Sequence, residues 1–243
     1  MKRLFLTLCI IAVGVLLGRD ISLAAPAVKT WIDARRAPDL VKAYLASHKV
    51  HKLQIGAGFV NLPGWLNTDI EPGPDQVFLD ATKRFPIPDG TIHYIFAEQL
   101  IEHLRYEDGL TMLRECYRVL APGGKIRLTT PNLLKLIQLF EQQKTDQMQR
   151  YITEKVKSDE WPESRRPETM ILNLQLRSFG HQFVYDPALL SDSMAQAGFQ
   201  AIGEFAAGES DDTELRGIDF RKNSPFWRDM NDYESMALQA VRR

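Results

Sequence analysis

Residues 53–70 read LQIGAGFVNLPGWLNTDI, and this stretch narrows the fold more than any other. An apolar strand runs into a Gly-x-Gly turn, and a second short apolar stretch ends on an acid, Asp69. Gly56 and Gly58 let the backbone approach a ligand where a Cβ would collide. Asp69, at the tip of the second strand, has the lone pairs to accept from both hydroxyls of a ribose. Only ten residues separate Gly58 from Asp69. At about 1.5 Å rise per residue, that is too few for a long helix and a returning strand. The connection is therefore a turn through Asn61-Leu62-Pro63-Gly64. The same shortness argues against a dinucleotide. Residue 61 is Asn where a third glycine would stand, and no helix N-terminus lies behind the turn to take a pyrophosphate.

Downstream, the pattern alternates between strand and helix. Val77-Phe78-Leu79-Asp80 reads as an extended segment ending on an acid, and Ile92–Ala97 as a buried strand. Leu110, Leu113, Tyr117 and Leu120 make a helical face that Pro122-Gly123-Gly124 stops. Lys125–Thr130 alternates as a strand, and Pro131-Asn132 opens a helix. Residues 141–178 are polar and read as a helical insertion. A helix over Pro187–Ala197 and strands over Gln200–Phe205 and Ser235–Val241 follow. The expectation is an α/β fold with a doubly wound, mostly parallel sheet. Residues 26–49 read as a helical extension ahead of a domain covering 50–243, with Pro38-Asp39 expected to split that extension into two helices.

At 243 residues the chain is one domain plus appendages. With 30 basic against 31 acidic residues, nothing favours a nucleic-acid partner. Two cysteines, Cys9 and Cys116, make no disulfide framework. No His-x-x-x-His or comparable spacing occurs, so no metal is expected. Lys2 and Arg3 precede an apolar run over residues 4–18, shorter than the ~20 residues of a comfortable membrane span. Residues 1–25 fit an anchor or uncleaved signal, a cleaved signal, or an apolar start packed elsewhere. The basic residues after the run favour a chain attached at residues 4–18, its body on the cytoplasmic face of the membrane. A soluble cytoplasmic chain or an exported one is the alternative.

The first motif, with Gly64-Trp65-Leu66-Asn67-Thr68-Asp69 behind it, resembles the class I S-adenosylmethionine-dependent methyltransferases. It is similar to a bacterial branch of the Methyltransferase type 11 kind with a short first motif. Leu120-Ala121-Pro122-Gly123-Gly124-Lys125 and the block from Glu98 to Leu104 strengthen the likeness. The resemblance implies a Rossmann-like fold closed by a C-terminal antiparallel hairpin, and S-adenosylmethionine as cofactor. It implies that Gly56, Ala57 and Gly58 face the amino-acid part of the cofactor and that Asp69 and Ile70 lie at the ribose. It also implies that Asp80 and Ala81 meet the adenine, and that Ala97 to Leu100 line the floor beneath the methyl group. A Gly-His segment at Gly180-His181 would lie near the acceptor. His181 is the general-base candidate, because its ordinary pKa lies near neutrality. Glu98 and His103 are further catalytic candidates. Each position also fits a plainer part: a turn, a cap, or a packing histidine. The implied acceptor is a small molecule or glycan, such as a sugar hydroxyl in surface polysaccharide synthesis. The rival is a non-catalytic or exported binding protein that keeps the fold.

Overall fold

The computed structural model describes residues 21–159, 166–224 and 228–243. Seven strands form one sheet in the order β3-β2-β1-β4-β5-β7-β6. β1 (Lys52–Ile55), β2 (Leu66–Asp69), β3 (Val77–Phe78), β4 (Ile92–Glu98) and β5 (Leu120–Pro131) run parallel. β7 (Ser235–Val241) lies antiparallel to β5, and β6 (Gln200–Phe205) antiparallel to β7. The mixed sheet with its antiparallel closing pair is the Rossmann-like fold expected. That pair is joined by a long connection, residues 206–234, rather than a tight turn.

The connection from β1 to β2 holds no helix, as its length requires. Asn67 ties it down: its side chain accepts from the Leu62 N–H at 3.0 Å and donates to the Leu62 carbonyl at 3.2 Å. Trp65 is buried at its end.

Strand alternation gives the sheet two unlike faces. Leu53, Ile95, Ile126 and Ala240 pair across four strands and are buried on one face. α2 (Tyr106–Val119) lays Leu113, Cys116 and Val119 onto this cluster, and α6 (Pro187–Gln196) adds Leu190 and Met194. In the same registers, the other face presents Gln54, Phe96, Arg127 and Gln239. This row is covered by the 206–234 connection. Leu215 packs with Phe96 and Trp65, and Arg127 pairs with Asp219, both fully buried. The Arg127 guanidinium donates to both Asp219 oxygens at 3.0 and 2.8 Å, and Thr129 Oγ1 and the Gly208 N–H donate to the same carboxylate. A buried pair so fully hydrogen-bonded fixes the connection to the sheet, and removing one partner would strand a charge.

α1 is one continuous helix, Ile21–Ser47, so Pro38 does not divide it as the sequence reading had it. Proline removes one backbone donor and crowds the preceding turn. Here Ala37 and Val41, on either side of Pro38, are buried against the domain core and hold the helix through that position.

α3 (Leu133–Gln138) follows β5 where Pro131-Asn132 was read as opening a helix, and α4 (Asp146–Ser158) and α5 (Pro167–Arg177) lie within residues 141–178. Asn132 caps α3 by accepting from the Leu134 N–H, and Thr145 caps α4 by accepting from the Met148 N–H. With α8 (Arg228–Glu234) they build a second small core around Leu136, Tyr151, Ile171, Met230 and Tyr233. α7 (Phe220–Asn223) is a single turn inside the 206–234 connection. The turn expected at Pro122-Gly123-Gly124 exists as an irregularity within β5: pairing jumps from Ile92↔Leu120 to Tyr94↔Lys125.

Candidate methyltransferase site

The parallel strands end on one edge, and the sequence-predicted residues gather there. Gly56 and Gly58 both have positive φ, +68° and +55°. A Cβ on Gly56 would come within 2.8 Å of Leu100 Cδ1, a side-chain end that could turn aside, so it is the positive φ that favours glycine there. A Cβ on Gly58 would meet nothing within 4 Å, so open space borders the turn. The buried Ala57 donates its N–H to the Thr68 carbonyl at 2.9 Å, which binds the turn to the end of β2.

Asp69 faces this turn. Its Oδ2 accepts from the Gly58 N–H and its Oδ1 from the Glu71 N–H, each at 2.9 Å. A carboxylate offers about four lone-pair sites, so two remain for ligand hydroxyls. Ile70, next in the chain, is 55% exposed. Asp80 Oδ1 accepts from the Thr82 N–H and hydroxyl, which fixes that carboxylate in a turn. Ala81 beside it is buried.

Ala97 does not line the floor. Alternation along β4 turns it into the apolar core, with Ile95 and Leu128, and turns Glu98 to the opposite face. Of the stretch expected to form the floor, Glu98 and Gln99, with Gln54, the Gly56–Val60 turn, Phe220 and Arg221, line a cleft of about 190 Å³. Gln99 is held at φ +53°. Such a conformation is unusual outside glycine and is concentrated at functional sites.

Glu98, a catalytic candidate by sequence, is engaged elsewhere. Its two oxygens accept from the N–H groups of Phe220 and Arg221 at 2.9 and 3.1 Å, which anchors α7 over the cleft. Burial raises its pKa, against those hydrogen bonds. Phe220 then meets the exposed ring of Phe59 edge to face at 5.5 Å, closing one end of the cleft. The sequence reading named neither aromatic.

Beyond β4 a short turn of helix, Ile101–His103, carries the other candidates. The ring of His103 meets that of His181 edge to face, with centroids 4.9 Å apart. His181 Nδ1 lies 2.6 Å from the Gln175 carbonyl. Nδ1 therefore carries the proton, and Nε2 is left with a free lone pair. Burial lowers the pKa of both histidines. For His103 the charges of His181 and Arg221 add to this, and for His181 the Gln175 hydrogen bond opposes it. Glu102 between them is fully buried, and burial pushes its pKa up to about 7 against a hydrogen bond from Thr130. The sequence spacing suggested no metal set, yet one ligand atom each of Glu102, His103 and His181 lies within 4.8 Å of the others.

A glycine turn facing a strand-end acid is the arrangement that the sequence resemblance implies for a nucleotide cofactor. Residues 42–128 match the Methyltransferase domain family, from the end of α1 into β5. A Mycolicibacterium smegmatis protein named as a probable S-adenosylmethionine-dependent methyltransferase is 41% identical over 49 residues. That segment is 20% of this chain and 18% of the relative's length. A methyltransferase from Archaeoglobus fulgidus aligns over 87% of this chain and 93% of its own, at 16% identity and a TM-score of 0.45. One from Mesorhizobium loti aligns over 83% and 96%, at 13% identity and a TM-score of 0.45. The likeness to the Methyltransferase domain family is carried by residues 42–128, the stretch that holds the glycine turn and Asp69. The site fits S-adenosylmethionine: a turn open at Gly58, a carboxylate with spare acceptors, and the apolar Ile70 next to it in the chain.

Proposed function

We propose that this chain transfers the methyl group of S-adenosylmethionine to a hydroxyl of a small or medium acceptor, with a sugar hydroxyl of a surface polysaccharide precursor as the favoured class. The observation that carries the reading is the placement of Glu102, His103 and His181 just past the end of β4, one strand end away from the glycine turn. When bound, the cofactor supplies a methyl group already activated by its sulfonium. What remains for the protein is alignment of acceptor and donor, and a home for the hydroxyl proton.

Gly56–Gly58 and Asp69 bind and orient the donor. Glu98 acts as a positioning residue by holding α7 over the cleft. His181, its Nδ1–H fixed by Gln175, presents Nε2 as the proton acceptor. Its lowered pKa keeps that nitrogen unprotonated into mildly acidic solution.

Isothermal titration calorimetry with S-adenosylhomocysteine tests the reading. The purified chain is expected to bind it, and Asp69→Ala to weaken binding by about 1.5–3 kcal/mol per lost hydrogen bond to the carboxylate at most. Equal affinity in both proteins would remove Asp69 from the site, and absence of binding by the wild type would end the proposal.

A further inference from the structure

We propose that Glu102, His103 and His181 form a binding site for a divalent transition-metal ion. The three donors come from two places in the chain, and the backbone clamps those places together. The Gln182 and Phe183 N–H groups both donate to the Glu102 carbonyl, at 2.7 and 3.1 Å. Gly180, at φ +80°, brings the loop in beside His103: a Cβ there would sit 3.5 Å from His103 Nδ1. The ligand atoms lie within 4.8 Å of one another. Around a tetrahedral ion with bonds of about 2.0–2.2 Å they would stand about 3.4 Å apart, so modest side-chain rotation closes the set.

Two further observations point to a ligand. Glu102 is 0% exposed; its Oε2 accepts from Thr130 at 2.9 Å, while its Oε1 is buried with no partner. A buried carboxylate oxygen without a donor is costly, and a cation satisfies it. His181 also has the arrangement of a metal-bound imidazole: one ring nitrogen donates to a backbone carbonyl, leaving the other to the ion. Two imidazoles and one carboxylate suit zinc, iron or manganese better than calcium or magnesium. The nearby Arg221 and Lys155 both oppose a cation; Glu234, 4.0 Å from the guanidinium and 3.5 Å from the Lys155 ammonium, offsets one of the two charges. Both histidines are only half-buried, so the ion has an entry path and keeps open positions. With an ion bound, His181 Nε2 would be a ligand and not the proton acceptor proposed above; the inference rests on the hydroxyl-acceptor reading only for what the open position would receive, the acceptor oxygen.

The test uses the full chain stripped with EDTA and titrated separately with zinc and manganese chloride. Calorimetry gives affinity, and emission spectrometry after dialysis gives stoichiometry. One ion per chain is expected for at least one metal, with Glu102→Gln and His181→Ala each weakening it by about 100-fold or more. Thermal melts of the variants check folding, and His103→Phe, which keeps an aromatic ring against His181, serves if either unfolds. No binding by the wild type, or binding that all three variants retain, would overturn the site. S-adenosylhomocysteine is titrated into the same samples. Its binding without metal binding defeats the metal site alone; metal binding without it upholds the site and defeats the methyl-transfer reading.

Discussion

At the scale of single residues, the chemistry rests on which atoms are left free. His181 keeps one unengaged nitrogen, because the Gln175 carbonyl holds the other. His181→Ala is therefore expected to retain S-adenosylhomocysteine binding while losing about 10²–10⁴-fold in turnover, the usual worth of a general base. A kcat unchanged with the true acceptor would assign His181 to structure alone. The glycine turn and Asp69 were legible because spacing restricts them: ten residues leave no room for a helix. Ala97 was misplaced because motif likeness gives a position in the chain and not a face of the strand. Arg127 belongs to a strand read only as alternating, and it is fully buried. Alternation marks a polar face, and cannot tell whether solvent or another polar segment covers it.

At the scale of elements, α7 decides access to the cleft. It has only one turn, and its first two N–H groups rest on Glu98. Hydrogen bonds to a charged group contribute about 1.5–3 kcal/mol. Glu98→Ala should therefore loosen this cover and raise the dissociation rate of S-adenosylhomocysteine at least several-fold, measured by stopped-flow displacement. A dissociation rate equal to wild type would show that α7 does not gate the cleft. The insertion helices were readable from composition and the strands from their apolar runs. α7 and α8 were not, because residues 206–234 carry no sustained periodicity. Their order comes from contacts with Glu98, Arg127 and the second core. Pro38 erred in the other direction: a local breaking signal was overridden by burial on either side.

At the scale of the whole molecule, acid stability draws on ion pairs that lash α2 to the turn before β4. Arg118 binds Glu115 and Asp89 together with the carbonyls of Phe85 and Ile87. Burial works against the Glu115 carboxylate, but hydrogen bonds from Arg118 and the Phe85 N–H outweigh it, and its pKa is lowered. A carboxylate lowered on folding stabilises the protein above its unfolded value, about 4.3, and loses that contribution as pH falls through the folded value. Glu115→Gln should thus be less stable than wild type near pH 7 in urea unfolding, with the gap narrowing below about pH 4. A constant gap would refute the assignment. Among the described residues no helix is long and apolar enough to cross a membrane, and the run over residues 4–18 lies outside them. We propose that this run attaches the chain to the membrane with the domain on the cytoplasmic face. Fractionation of cells making the full chain should find it with membranes, uncleaved. A mature N-terminus between residues 23 and 28 in an exported fraction would refute that and favour the binding-protein alternative.

The strand order has one more consequence, for how the chain is made. β7 sits between β5 and β6, yet follows both in sequence. During synthesis β6 emerges with no neighbour to pair with, and β5 presents a bare edge until some thirty further residues have left the ribosome. Both are templates for pairing with another nascent chain. The intervening segment carries Asp219, the partner of Arg127 on that exposed strand. Once docked there, it would cover the polar face of β5, while the edge of that strand stays open until β7 arrives to join the two halves of the sheet.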